Sequence, residues 1–428
     1  MNILVIGSGG REYTLAWKIH QSVHCNRLFI APGNAGTDLF GENVDINVND
    51  FEAIGKFVIE NNIELVVVGP EDPLVNGIRD FFKNSPLSDV AIVGPGQDGA
   101  RLEGSKDFSK TFMQKNKIPT AAAKTFTTEY VDDGLAYLAQ CKMPVVLKAD
   151  GLAAGKGVII AQDLKEAQDT LKSMLLDRKF GEASSKVLVE EFLDGIELSV
   201  FVLTDGKNYV TLPEAKDYKR IGEGDTGPNT GGMGAVSPVR FADTEFMEKV
   251  THKIIEPTIN GLQDEGIDYR GFIFIGLMNV NGEPYVIEYN VRMGDPETQV
   301  VIPRIKNDLV EMLVKAADGR LENYNLEVNE NYASTVVMVS GGYPGSYDKG
   351  KSIQGLADVT NALVVHAGTQ QRDYEVLTNG GRVLSVTGMG DSLTDALKIS
   401  YNGVQSIHWD NAYYRKDIGK DILRLQLD

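Results

Sequence analysis

The sequence predicts an α/β protein built as an open parallel-sheet N-terminal domain, a central α/β region and a small α+β C-terminal domain. Three observations carry this prediction. Short apolar runs ending in glycine turns alternate with helix-like stretches at the start of the chain, the pattern of an open sheet. The 45 glycines cluster at 7–10, 151–157, 222–234, 341–345 and 379–390, punctuation typical of α/β construction. At 428 residues, 42% hydrophobic and 24% charged, the chain is long enough for roughly two to four folded domains.

In chain order, 3–6 is a strand ending at Gly7 and 11–20 is a helix. Strands follow at 28–31, at 63–68 after a helical 51–61, and at 90–93, closing a first domain over 1–104. One helix is expected over 99–117, with Ser105 near its middle and Pro119 beyond its end. The central domain, 105–325, divides into two units. In the smaller, 120–192, strands 145–149 and 158–161 flank a glycine loop, followed by a helix at 163–177 and a strand at 186–190. In the larger, 193–325, a strand at 196–204 precedes a hairpin over 271–291 turning at Asn281-Gly282, and a helix at 304–320 closes the unit. Strands at 335–339 and 382–387 and a helix at 391–406 make the last domain, 326–428.

Forty-two Lys and Arg against 60 Asp and Glu give a net charge of -18, a field that repels nucleic acid and anionic membranes. Any phosphate therefore needs a local site. Cys25 and Cys141 are too few for a disulfide framework, and no apolar run approaches the ~20 residues of a membrane span. The expectation is a cytoplasmic protein with no membrane or nucleic-acid partner.

Five segments could carry chemistry. Gly7-Ser8-Gly9-Gly10-Arg11-Glu12 follows a strand, but Glu12 stands where a dinucleotide fingerprint needs its third glycine. What remains is a helix N-terminus with free backbone N–H groups beside Arg11, suited to one phosphate monoester, or else a tight turn with Arg11 in solvent. Residues 148–157, Lys-Ala-Asp-Gly-Leu-Ala-Ala-Gly-Lys-Gly, depart from a P-loop in glycine spacing and in having Gly157 where Ser or Thr would bind magnesium. They read as a hairpin tip folding over a triphosphate with Lys156 and Lys148, or as a glycine-rich surface turn. Lys148, on an apolar strand, wants an anion.

Glu190-Glu191-Phe192-Leu193-Asp194-Gly195 is a strand running into a linker whose backbone could meet an adenine edge, with Glu197 placed for ribose hydroxyls; alone it reads equally as a solvated acidic loop. Along 286–292, Glu288, Asn290 and Arg292 share one face of a strand between apolar neighbours. A carboxylate and an amide oxygen two residues apart suit a hard cation that also holds substrate phosphates, with a buried salt bridge as the alternative. Lys216-Asp217-Tyr218-Lys219-Arg220 and 225–234 read as a nearly structureless loop wrapping an anionic ligand, or as an ordinary mobile loop.

In this order and spacing, these segments resemble the ATP-grasp superfamily, and within it the phosphoribosylamine–glycine ligase family. The resemblance rests on Gly-Gly-Arg-Glu at 9–12, Ala-Pro-Gly-Asn-Ala-Gly-Thr at 31–37, Gly-Pro-Glu at 69–71, Leu-Glu-Gly-Ser-Lys at 102–106 and the 148–157 segment. It continues in Gly-Pro-Asn-Thr-Gly-Gly-Met-Gly at 227–234, Gly-Asp-Pro-Glu-Thr-Gln at 294–299, Gly-Gly-Tyr-Pro-Gly at 341–345, His-Ala-Gly-Thr at 366–369 and Arg-Lys-Asp-Ile-Gly at 415–419. It covers the whole chain and implies the single-activity form of the family.

The resemblance implies ATP-grasp central domains and a ligation of glycine to 5-phosphoribosylamine in purine biosynthesis, giving glycinamide ribonucleotide, ADP and phosphate through a glycyl phosphate. It implies that Lys106, Lys148, Ala153, Gly155, Lys156 and Gly157 hold the triphosphate, Glu190, Leu193 and Glu197 the nucleoside, and Glu288 and Asn290 Mg2+ or Mn2+. Implied substrate-binding positions are Gly9, Gly10, Arg11, Glu12, Asn34, Gly36, Glu71, Asp217, Lys219, Arg220, Asn229, Gly231, Gly232, Arg292, Gly294 and Asp295. Arg292, Asp295 and Lys156 are the implied catalytic residues, and Arg11 with the 7–12 loop takes the 5′-phosphate. A monomer is expected, with transient hand-over of the amine from the preceding enzyme.

Tyr13, Lys216 and Val236 depart from the family's usual His, Gln and Tyr, which bears on substrate positioning rather than on the reaction. The strand at 272–280 carries no acid that could add a metal ligand. Related purine ligases and biotin-dependent carboxylases share the plan but lack the 225–234 loop. A nucleotide sensor would be expected to have lost Glu288, Asn290 or a phosphate lysine.

Overall fold

A computed structural model describes residues 1–151, 157–179, 181 and 185–425. Strands β1 (Asn2–Gly7), β2 (Arg27–Pro32), β3 (Glu42–Asn43), β4 (Leu65–Val68) and β5 (Ala91–Val93) pair in parallel in the order β3-β2-β1-β4-β5. Ile3, Leu4, Val5 and Ile6 are buried on both faces of the sheet, as a covered parallel sheet requires. Only β3, two residues long, escapes the sequence pattern. Strand order reverses between β1 and β4, so their carboxyl ends open a crevice, and the turns at 7–10 and 69–71 line it.

The single helix expected over 99–117 is two, Gln97–Gly104 and Lys106–Lys115. Ser105 takes extended backbone between them, and its Oγ accepts the Phe108 N–H at 3.2 Å. A serine hydroxyl satisfies a helix N-terminus better than it continues a helix interior, so the chain breaks there. This start points Lys106 back toward the glycine loop.

Four antiparallel strands form the next sheet, in the order Ala123–Thr127, Lys186–Glu191, Val145–Ala149, Val158–Ala161. The helices Val131–Leu138 and Leu164–Leu175 pack with it around Phe126, Leu147, Leu171 and Met174. A second antiparallel sheet joins Tyr209–Thr211, Ile196–Thr204, Gly271–Val280 and Glu283–Asn290. Asn281 (φ 52°) and Gly282 (φ 84°) are both left-handed, the primed turn that matches strand twist. A register shift beside Gly276 and Leu277 leaves Ile287 without an opposite residue.

The fourth large sheet mixes the chain's halves, in the order Lys216–Asp217, Gly234–Ser237, Tyr332–Val339, Arg382–Gly390, Leu363–His366. The loop between its first two strands is more ordered than expected: Arg220–Gly222 pairs with Thr226–Asn229 as a small hairpin. Glycines at 222, 224 and 227 hid that pairing from the sequence pattern. The helix expected at 304–320 narrows to Leu309–Asp318, started by Asp308, which accepts the Glu311 N–H at 3.1 Å, and ended at Gly319 (φ 77°). Among the described residues no helix is long and apolar enough to cross a membrane.

Candidate active site

Where the sheet that holds Glu190 meets the sheet that holds Glu283–Asn290, the side chains form a chain of ion pairs. Glu190, at the end of its strand, takes Lys148 at 2.7 Å and Lys110 at 3.0 Å, all three side chains nearly buried. Lys148 also donates to the Ile287 carbonyl at 3.2 Å, an oxygen presented by the bulged strand. The anion that Lys148 needs is thus Glu190. Burial alone would raise the Glu190 pKa, but Lys148 and Lys110 outweigh it and hold the carboxyl below its usual range. Lys110 is further fixed by Thr120 Oγ1 at 2.7 Å and the Ala121 carbonyl at 3.1 Å, so Glu190 keeps a counter-ion if Lys148 turns elsewhere.

Lys106 Nζ donates to the Gly151 carbonyl at 2.8 Å at the mouth of the glycine loop, and Ala149 N–H donates to the Gly157 carbonyl at 2.8 Å to close its base. Burial lowers the Lys106 pKa, and Glu288 is the first charge that offsets it. Ala153, Gly155 and Lys156 lie outside the described residues. Leu193 is half-buried in the bend after the Glu190 strand.

Along Glu283–Asn290, Glu288 and Asn290 are half-buried while Tyr289 between them is buried, so the two share a face. Among the described residues neither side chain has a hydrogen-bond or ion-pair partner. Two hard oxygen donors left open beside Lys106 and Lys148 fit a divalent cation that takes its other ligands from phosphate and water. No group of three or more His, Cys, Asp or Glu suited to a metal occurs among the described residues.

Arg292, on the same face, is spent inside the protein. Its Nη2 meets Glu103 at 2.7 Å and its Nε meets Glu71 at 3.1 Å. It therefore holds two strategic carboxylates rather than presenting a free guanidinium. Arg292 and Arg11 outweigh burial at Glu71 and keep it ionised, whereas burial at Glu103 wins and pushes its pKa up to about 7. One guanidinium cannot compensate both.

That shift has a sign that can be tested. An unfolded Glu103 titrates near 4.5 and the folded one near 7, so between those values the folded chain holds the extra proton and stability falls as pH rises. The slope is at most about 1.4 kcal/mol per pH unit. Glu103→Gln, neutral throughout, is expected to flatten the decline in guanidinium unfolding midpoint from pH 5 to 7; parallel curves for the two proteins would contradict the shift.

The first glycine loop also differs from expectation. Its helix N-terminus is not free: Gly9 N–H goes to Glu12 Oε2 at 2.6 Å and Arg11 N–H to Asp295 Oδ2 at 3.4 Å. Arg11 is 8% exposed, with its guanidinium on Glu12 Oε1 at 2.5 Å and the Met293 carbonyl at 3.2 Å. Glu12 lies against Gly7 and Gly69, where any Cβ would collide with it, so the missing third glycine is replaced by a buried acid that caps its own helix. Gly10 faces Gln299, and Asp295 is held low by Arg382 and Arg11 against burial.

Asn34 donates to the Ser8 carbonyl at 2.8 Å and the His366 carbonyl at 3.0 Å, tying this loop to the C-terminal sheet. Gly36 leaves room for His366, which stacks on Tyr13 at 5.7 Å; burial lowers the imidazole pKa to about 4, so the stack is neutral. Tyr13 thus has an aromatic partner of its own.

Across the crevice, Lys219 meets Glu197 at 2.7 Å, and Asp217 sits behind them with its pKa raised by burial. Glu297, buried beside Gly294, is pushed up to about 8 by burial and by Asp217. Arg220 donates to the Gly227 carbonyl at 2.8 Å, and Asn229 pairs opposite Arg220. Gly231 N–H reaches Tyr343 OH at 3.0 Å and its carbonyl takes Arg382 at 2.8 Å, while Gly232 (φ 118°) packs on Pro296.

Contacts and charge interactions link the expected residues around Glu197, Asp217 and Lys219 with Arg292 through Glu297, while Ala153, Gly155 and Lys156 lie outside the described residues. Sequence reasoning gave no role to Glu103, Lys110, Glu297, Arg382 or Arg415. Glu103, Glu297 and Arg415 lie within motifs already recognised, so a signal existed; Lys110 and Arg382 carried none.

Three family models match in order: the phosphoribosylglycinamide synthetase N domain over 1–103, its ATP-grasp (A) domain over 104–298 and its C domain over 333–421. A phosphoribosylamine–glycine ligase of Vibrio parahaemolyticus is 46% identical over 424 residues, covering 98% of both chains. One of Haemophilus influenzae is 47% identical over the same span. The crystal structure of phosphoribosylamine–glycine ligase from Thermotoga maritima superposes with a TM-score of 0.84 at 33% identity, over 97% of this chain and 100% of that one.

Proposed function

The chain belongs to the phosphoribosylglycinamide synthetase family, and from that premise we infer that it ligates glycine to 5-phosphoribosylamine in purine biosynthesis, using ATP and giving glycinamide ribonucleotide, ADP and phosphate. The observation that carries the reading within the site is the open pair Glu288 and Asn290, on one face of a strand and flanked by Lys106 and Lys148.

In this reading Lys106, Lys148 and the 153–157 loop surround the triphosphate, and the Glu190–Leu193 bend with Glu197 holds the nucleoside. Lys148 leaves Glu190 for phosphate, and Lys110 keeps Glu190 charged and in place. Glu288 and Asn290 would hold Mg2+ or Mn2+, which would supply charge neutralisation to the phosphates. One glycine carboxylate oxygen attacks the γ-phosphorus as the bond to ADP breaks. The phosphoribosylamine nitrogen then attacks the acyl carbon, the C–O bond breaks with phosphate leaving, and the nitrogen loses a proton. Such transfer needs positioning and charge rather than a side-chain nucleophile.

Lys219, Arg220, Asn229 and the 231–232 turn present cations and backbone groups for the sugar phosphate. Glu71 and Asp295, held ionised by Arg292, Arg11 and Arg382, accept hydroxyl or amine protons. With the α1 (Gly10–His20) N-terminus capped internally, Arg11 acts by fixing Glu12 and the turn. The test is ADP release by the whole protein: it should require both glycine and freshly made phosphoribosylamine. Release independent of either substrate would contradict the ligase reading.

A further inference from the structure

The small hairpin Arg220–Gly222/Thr226–Asn229 is fastened from below by a segment far away in sequence, 413–419. Arg415 is its centre. Only 1% exposed, its Nη1 donates to Asp225 Oδ1 at 2.7 Å and to the Arg220 carbonyl at 3.1 Å. Its Nε and Nη2 grip Asp417 at 2.8 and 2.7 Å, and its guanidinium lies over the Tyr218 ring at 5.3 Å. Asp417 in turn accepts the Gly224 N–H at 2.7 Å, and Tyr413 OH donates to the Ile221 carbonyl at 3.0 Å.

The clamp reaches both the turn and the strand of the hairpin. Its strands carry Arg220 and Asn229, and Lys219 immediately precedes the first of them, so their spacing from Glu197 depends on where the hairpin sits. With Gly222, Gly224 and Gly227 among its ten residues, the hairpin has little side-chain packing of its own to fix that position. Planar, bidentate and always charged, arginine suits a rigid tie that lysine cannot copy.

We infer that Arg415 is a positioning residue: through Asp225 and the Arg220 carbonyl it sets the 220–229 hairpin against the crevice and so governs affinity for the sugar phosphate, not for ATP or glycine. This rests on the assignment of that hairpin to phosphoribosylamine. It does not place Arg415 in contact with any substrate.

The experiment measures Michaelis constants for each substrate in turn, with thermal unfolding alongside, for Arg415→Met, Arg415→Lys, Asp225→Gly and Arg220→Ala. Glycine accepts the φ of 54° at residue 225 without strain, so Asp225→Gly removes the tie while leaving the Arg415 core packed, and it decides the matter should Arg415→Met not fold. Expected are a rise of about tenfold or more in the phosphoribosylamine constant for Arg415→Met, partial recovery for Arg415→Lys, and a several-fold rise for Asp225→Gly, with the ATP and glycine constants within about twofold. Folded variants with an unmoved phosphoribosylamine constant, or with all three constants rising together as the unfolding temperature falls, overturn the positioning role. If Arg220→Ala raises the phosphoribosylamine constant while Asp225→Gly does not, the clamp alone is wrong; if Arg220→Ala leaves it unmoved, the hairpin assignment fails and the clamp's proposed role with it.

Discussion

Glu288→Gln and Asn290→Ala are each expected to lower kcat by about a thousandfold or more at ordinary magnesium, with thermal unfolding nearly unchanged. The size follows from what each change removes: one hard ligand, or its charge, from a cation worth several kcal/mol to a transferring phosphoryl group, where each 1.36 kcal/mol is tenfold in rate. The fold is spared because neither side chain has an internal partner to strand, unlike Arg292, whose loss would leave Glu71 and Glu103 unpaired. Initial rates across a magnesium titration are the check. Full activity in both variants would remove the metal from this strand, and partial rescue of Glu288→Gln by high magnesium would strengthen it.

Lys148→Met comes next in size and separates binding from chemistry. Its ammonium is nearly buried and now faces Glu190 at 2.7 Å. Exchanging that partner for a phosphate oxygen supplies a charge-assisted hydrogen bond of about 1.5–3 kcal/mol, so ATP affinity should fall roughly ten- to a hundredfold. Lys110 keeps Glu190 compensated, and the variant should fold. Calorimetric titration with a non-hydrolysable ATP analogue measures it. An unchanged affinity would mean that Lys148 serves Glu190 alone.

The first sheet was legible because parallel strands buried on both faces leave continuous apolar runs, as at Ile3–Ile6 and Leu65–Val68. The Asn281-Gly282 turn was legible because only a few residues accept two left-handed positions in a row. What sequence could not show was partnership across distance. Lys148 asked for an anion, and Glu190, forty-two positions on, supplies it. Arg11 beside a helix start suggested a phosphate, yet Glu12 and Asp295, the latter nearly three hundred residues away, occupy those donors. Ser105 was misread because a cap and a helix interior differ in the backbone angles of one residue, which hydrophobic period does not encode. The 220–229 hairpin was invisible for a related reason: its order comes from Arg415 and Asp417, not from its own sequence.

The central claim is that glycine carboxylate is activated by phosphoryl transfer before the amine attacks. The measurement that addresses it most directly is a single turnover with ATP, phosphoribosylamine and glycine labelled with oxygen-18 in its carboxylate, followed by mass analysis of the phosphate released. One glycine oxygen should appear in each phosphate, because the acyl C–O bond is the one that breaks. Phosphate free of label, with glycinamide ribonucleotide still formed, would contradict the account.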